Sequence, residues 1–263
     1  MSGGPFDATS DAAHPGARAA PALVLDHLVV AAATLEAGVA WCDATLGQRP
    51  LAGGKHAWMA THNRVFSIGS ARFPRAYLEI IAIDPDGPAP ARPRWFGLDE
   101  APLQRAIADG PRLIHWVARC ADIEAAAAAF RLAGFDPGEV LPAERETPQG
   151  LLRWHIGVRA DGRRLCDGAL PTLIEWGDVH PSANLPPSGI ALAEMTLDGV
   201  PDALRPSLGS AIGYASASPN STRQLAPGRA ELSPPPPLRA VLETPRGRVT
   251  LESPRLESSD VHA

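Results

Sequence analysis

Residues 23–50 read LVLDHLVVAAATLEAGVAWCDATLGQRP, and residues 112–137 read RLIHWVARCADIEAAAAAFRLAGFDP. Each stretch opens on an apolar, β-branched run with one central histidine, His27 or His115. A cap residue follows, Thr34 or Asp122, and then an Ala-rich segment that closes near Gly47 or Gly134, with Pro50 or Pro137 just beyond. Cap, helix former, glycine and proline in that order spell a helix with defined ends. The histidines stand 88 residues apart and the glycines 87. One strand–helix unit therefore occurs twice, and internal repetition is the quickest guide to architecture.

Both copies end on a second apolar run that carries a glutamate: AYLEIIAI around Glu79 and PTLIEWGD around Glu175. Between helix and final run, strands are expected near Ala57 to Met59 and Asn63 to Ile68 in the first copy, and near Glu139 to Ala143 and Leu151 to Val158 in the second. The last strands are expected over Tyr77 to Ile83 and Thr172 to Trp176. Each copy is thus β-α-β-β-β. Alternation along a strand puts Leu25, His27 and Val29 on one side, and Tyr77, Glu79 and Ile81 likewise, leaving Leu28, Val30, Leu78 and Ile80 to lie under the helix. The expected fold class is α+β, with helices on the back of a sheet and a concave front that bears the histidines and glutamates. Imidazole and carboxylate are unusual on a buried strand face unless something binds them, and both are good ligands for divalent metals. His27, Glu79, His115 and Glu175 are accordingly the candidate metal ligands.

The chain has 263 residues, an ordinary apolar share and a net charge of −5 without a basic cluster or acidic run. That is enough to build a sizeable core, and it argues against a nucleic-acid surface and gives no reason to invoke a membrane. Small molecules are the expected partners. Three scattered cysteines, Cys42, Cys120 and Cys166, fit a reducing cytoplasm rather than a disulfide framework or zinc knuckle. Residues 1–21 read as a disordered extension. The modules are expected over 22–84 and 111–180, joined by a linker at 85–110 with a short helix from about Leu98. A C-terminal unit, a strand and helix followed by a hairpin turning near Arg246 and Gly247, is expected over 189–255, with a flexible loop at 216–237.

The runs LDHLVV, YLEIIAID, LIHWV and LIEWGD resemble the vicinal oxygen chelate superfamily, and within it the glyoxalase-like domain proteins, over about Leu23 to Trp176. The resemblance implies that the paired modules form an open, cup-shaped barrel with metal and substrate in the cup. It also implies that His27, Glu79, His115 and Glu175 hold one divalent ion, such as nickel, zinc, manganese or iron. Four such ligands leave two octahedral positions for adjacent substrate oxygens, and Glu175 or Glu79 would be the catalytic base. A metal-dependent lyase or isomerase of the glyoxalase I type is the leading expectation. An iron-dependent ring-cleaving dioxygenase and a metal-free binding or sequestering protein stand beside it.

Further candidates lie on the middle strands. His62, Asn63 and Arg64 begin one that should end near the cup, and Arg153 and His155 share a face of its counterpart, so all five are candidate substrate-binding residues. Trp58, Trp116, Trp154 and Trp176 are expected to be core, and His56 and His180 to be exposed loop residues. The modules pair within one chain or across a possible homodimer.

Overall fold

The computed structural model describes residues 22–215 and 234–256. The expected N-terminal extension and most of the expected 216–237 loop lie outside the described residues. The first module consists of β1 (Val24–Ala31), α1 (Leu35–Leu46), β2 (Leu51–His56), β3 (Thr61–Ser67) and β4 (Tyr77–Ile83). The linker carries α2 (Ala101–Ala108). The second module repeats the plan with β5 (Arg112–Arg119), α3 (Ile123–Leu132), β6 (Glu139–Thr147), β7 (Gly150–Val158) and β8 (Thr172–Trp176). Both helices start as the sequence indicates. Thr34 Oγ1 accepts the Ala37 N–H, Asp122 accepts the Ala125 N–H, and Gly47 ends α1 at a φ of 72°.

One expected strand is misplaced. Ala57–Met59 forms a 3₁₀ turn, and the strand is the preceding LAGGKH, whose paired glycines and exposed start conceal it from a propensity reading.

The eight strands make one nearly closed curved sheet in the order β2-β3-β4-β1-β5-β8-β7-β6. Within each module the first and last strands run parallel, β1 with β4 and β5 with β8. The modules join where β1 meets β5 antiparallel, with Leu28 opposite Trp116 and His27 and Val29 opposite Val117 and His115. Leu28 and Trp116 therefore mark the local two-fold axis of the repeat.

The sheet separates two apolar clusters. The outer one packs Leu28, Val30, Leu78, Ile80, Trp116 and Leu173 under α1 and α3. Into it also packs a second sheet, in the order β10-β9-β11-β12, made from β9 (Ala191–Leu197), β10 (Gly213–Tyr214), β11 (Leu238–Thr244) and β12 (Gly247–Glu252). The C-terminal hairpin forms as expected, but the helix expected before it does not. Pro201, Pro206, Gly199 and Gly209 limit that segment to a 3₁₀ turn at Arg205–Ser207. The inner cluster fills the cup. Val29, Ile81, Val117, Trp154 and Ile174 meet Trp95, Phe96, Leu98, Leu103 and Ile107, so the linker is a plug as well as a connection. Phe96 holds a left-handed φ of 60° to make this insertion.

Candidate functional site

The site begins at an irregularity in β1. Leu25 pairs with Ala118 and His27 with Val117, so two residues of β1 advance against one of β5, a bulge at Asp26. Leu25 consequently joins the outer cluster rather than sharing a side with His27 and Val29 as alternation predicts. Asp26 and His27 come together in the interior, both buried.

A chain of polar contacts crosses the first module from there. Asp26 Oδ1 lies 2.7 Å from His27 Nδ1, and His27 Nε2 lies 3.6 Å from Glu79 Oε2, close enough for charge attraction but too long for a good hydrogen bond. Asn63 Nδ2 donates to Glu79 Oε1 at 2.5 Å, and Asn63 Oδ1 accepts the Gly54 N–H at 2.7 Å. The other Asp26 oxygen accepts from Trp176 Nε1 at 3.0 Å and meets His180 Nε2 at 2.8 Å. Tyr77 stacks on the His27 ring at 4.5 Å. His180 and His56, expected in exposed loops, are both buried, because one closes the Asp26 cluster and the other sits edge-on to Trp95.

Charge follows from these contacts. Burial opposes ionisation of His27, but the Asp26 hydrogen bond and the attraction of the Asp26 and Glu79 charges outweigh it and raise its pKa to about 9. Burial likewise opposes ionisation of Asp26 and Glu79. The His180 and His27 contacts hold Asp26 well below the usual carboxylate range, and His27 with Asn63 lowers Glu79. At neutral pH the row is carboxylate, imidazolium, carboxylate. His56 is pushed down to about 4 by burial and stays neutral. The row opens on a cavity of about 60 Å³ whose walls include His56, Arg145, Trp95, Phe96, Trp154 and Trp176. Trp154 and Trp176, expected as plain core, therefore also form cavity wall, whereas Trp58 is exposed.

The other half of the expected ligand set lies elsewhere. His115 Nε2 accepts the Thr172 N–H at 3.1 Å and lies 3.0 Å from Thr172 Oγ1, while Nδ1 is buried with no hydrogen-bond partner among the described residues. Burial, with the nearby Arg164 charge, lowers its pKa well below the usual value. His115 faces a separate cavity of about 20 Å³, and Trp95 and Phe96 form the wall common to both chambers. Glu175 is turned outward, where Oε2 accepts the Ile123 N–H at the start of α3 at 2.7 Å. Among the described residues no three His, Cys, Asp or Glu side chains are placed to hold a metal ion. The four-ligand divalent centre does not fit this donor set. The structure brings His27 and Glu79 together and leaves His115 and Glu175 apart from them and from each other.

Of the five expected substrate-binding residues, Asn63 alone faces the inner cavity, where it positions Glu79. His62 and Arg64 pair across β3–β4 with Ala82 and Ile80, which belong to the outer layer. Arg153 and His155 do share a face, but it is the exposed face of β7, opposite the inner Leu152, Trp154 and Ile156. With Glu175 and Trp58 they border a separate open groove. Asp26, His56, His180 and Arg145 are absent from the expected set. The sequence signals were an aspartate beside the histidine in LVLDHLVV and the Gly53–Gly54 pair, which makes room for Asn63 and Arg145: a Cβ on either glycine would collide with one of them.

A family model described as a glyoxalase-like domain matches residues 25–209. The chain belongs to that family. The glyoxalase-like chain also resembles solved structures of low sequence identity. One is a hypothetical protein from Staphylococcus aureus, at 15% identity over 67% of this chain and 69% of that one, with a TM-score of 0.44. A variant of Streptomyces coelicolor methylmalonyl-CoA epimerase in complex with 2-nitronate-propionyl-CoA gives 20% identity, 60% and 99% coverage and a TM-score of 0.38. Methylmalonyl-CoA epimerase from Mycobacterium tuberculosis gives 18%, 59% and 89%, with a TM-score of 0.33. No curated protein matches the glyoxalase-like chain. No helix among its described residues is long and apolar enough to cross a membrane.

Proposed function

We propose that this glyoxalase-like chain is an isomerase or lyase that moves a proton on a small oxygenated substrate, with Glu79 as base and His27 as acid. The observation that carries the reading is the buried His27 ring, held between Asp26 and Glu79 at the edge of an aromatic-walled cavity. Asn63 occupies Glu79 Oε1 and leaves Oε2 to take a proton from a carbon beside a carbonyl. The electron pair of that C–H bond moves onto the carbonyl oxygen, and His27 Nε2–H supplies the proton that oxygen needs. In a 2-hydroxy-carbonyl substrate, Glu79 returning its proton to the former carbonyl carbon while His27 takes back the proton of the other enediol hydroxyl completes an isomerisation; expelling a leaving group while the enol hydroxyl returns its proton to His27 completes an elimination. Asp26 keeps the imidazole charged and oriented, and the tryptophan walls keep competing water out.

The test is deuterium incorporation into a panel of small 2-hydroxy- and 2-oxo-carbonyl compounds in heavy water, read by mass spectrometry. It is run with the parent protein, a chelator-treated sample, samples loaded with nickel, zinc, manganese or iron, and Glu79→Gln. Exchange by the parent that survives chelation and disappears in Glu79→Gln is expected. Exchange that appears only on metal loading would restore the metal-dependent lyase reading, and binding without any exchange would leave a sequestering protein.

A further inference from the structure

Arg145 lies on β6, one edge of the curved sheet, and its guanidinium packs on Gly54 of β2, the opposite edge. The seam between the two edges is thus bridged by one side chain. Its Nε and Nη1 are buried and have no hydrogen-bond partner among the described residues. A guanidinium is charged at any ordinary pH, and leaving its N–H groups buried and unpaired is costly enough that such a group normally has an occupant in the working state. Arg145 also stands where two cavities meet. It lines the 60 Å³ chamber of His27 and Glu79, and it lines an outer chamber of about 210 Å³ whose apolar walls include Leu51, Val65, Leu152 and Val179.

We propose that Arg145 anchors a carboxylate of the ligand, which makes the substrate of this site a small carboxylic acid anion with an apolar body in the outer chamber. The guanidinium presents two parallel N–H pairs, Nε–H beside one Nη2–H and Nη1–H beside the other, and either pair matches the two oxygens of a carboxylate. The anion would be the first partner of the unpaired group on whichever edge it takes. Its reacting carbon would then lie on the inner side, toward Glu79 and His27. The inference rests on the acid–base reading for the reaction but not for the binding.

The experiment is isothermal titration of the full-length protein with hexanoate, hexanamide and inorganic phosphate. Arg145→Gln, Arg145→Lys and Gly54→Ala are titrated alongside, and circular dichroism establishes that each variant is folded. Hexanoate is expected to bind at least tenfold tighter than hexanamide or phosphate, a gap of about 1.4 kcal/mol. Arg145→Gln should erase that preference, and Arg145→Lys, which keeps the charge but not the fork, should recover only part of it. Gly54→Ala, which displaces the guanidinium without removing it, should weaken hexanoate more than hexanamide. Equal affinity for acid and amide, no binding of hexanoate at all, tighter binding of phosphate, or full affinity in Arg145→Gln would each overturn the proposal. Arg145-dependent hexanoate binding with no deuterium exchange into any compound would sink the enzymatic reading alone. Exchange into uncharged carbonyl compounds, unaffected by Arg145→Gln, would sink this inference alone.

Discussion

In the first module Asn63, Glu79, His27 and Asp26 form an unbroken polar row facing the cup, whereas the second module turns its glutamate to the opposite face and leaves its histidine neutral against Phe96. Element order, side-chain N-caps (Thr34 and Asp122) and parallel strand pairs match in the two modules. The difference is one of parity. Leu78 and Leu173 both lie under the helices and stand 95 residues apart, while Glu79 and Glu175 stand 96 apart. Because side chains alternate along a strand, that single-residue discrepancy puts one glutamate inside and the other outside. Two copies of a fold are therefore not two copies of a half-site.

The sharpest test of this asymmetry is catalytic. Glu79→Gln is expected to lower the proton-exchange rate by about 10² to 10⁴, the usual contribution of a positioned base, and Glu175→Gln to leave it unchanged. Equal losses in the two variants would mean that both carboxylates reach the cup and would break the comparison.

Stability separates the modules next. Asp26→Asn leaves a buried imidazolium without its closest partner, and breaking such a pair costs about 3 kcal/mol or more, read as a lower urea midpoint. The deficit has a pH signature. His27 has its pKa raised to about 9, so the stability it gains from Asp26 is complete below its ordinary value of 6.5 and is lost as pH rises through 9. Unfolding curves of parent and Asp26→Asn should therefore converge as pH rises from about 6.5 to about 9. Curves that stay parallel throughout would mean that His27 is not charged in the folded protein.

Most of the fold was legible because its signals are local. Thr34, Asp122, Gly47 and the two final strands fall where cap chemistry and alternation place them. The site was half legible. His27 and Glu79 stand out as polar residues in apolar strands, but their partner Asp26 faces the interior only because of a bulge, and alternation assigns it to the other side. The separation of His115 from His27 depends on Trp95 and Phe96 folding back into the cup, a long-range event that a proline-rich linker does not announce. Arg145 and His180 matter through contacts with residues 91 and 154 positions away, Gly54 and Asp26, beyond any periodicity argument.

The second module offers a smaller effect. His115→Gln removes a neutral ring that accepts one backbone N–H and packs on Phe96. The expected cost is about 1–2 kcal/mol from lost packing and one hydrogen bond, with metal content unchanged and proton exchange retained. Loss of a stoichiometric metal in this variant would instead join the two chambers into one centre.

The smallest expected effect belongs to Glu175. Its carboxylate accepts the Ile123 N–H in the first turn of α3, where Asp122 already caps the helix. Free N–H groups and the positive end of the helix dipole favour a negative charge there, a contribution of about 0.3–1 kcal/mol at a partly exposed site. Glu175→Gln keeps an acceptor oxygen and removes the charge alone, so it should cost about 0.5 kcal/mol, and less in 1 M salt, where the interaction is screened. Glu175→Ala removes the acceptor as well and should cost about 1 kcal/mol with little salt dependence in the added part. A helix-end role predicts that ordering. A carboxylate working inside the cup would give a salt-independent loss in both variants and would move proton exchange with it, so unfolding and exchange measured on the same two proteins decide which face of β8 Glu175 serves.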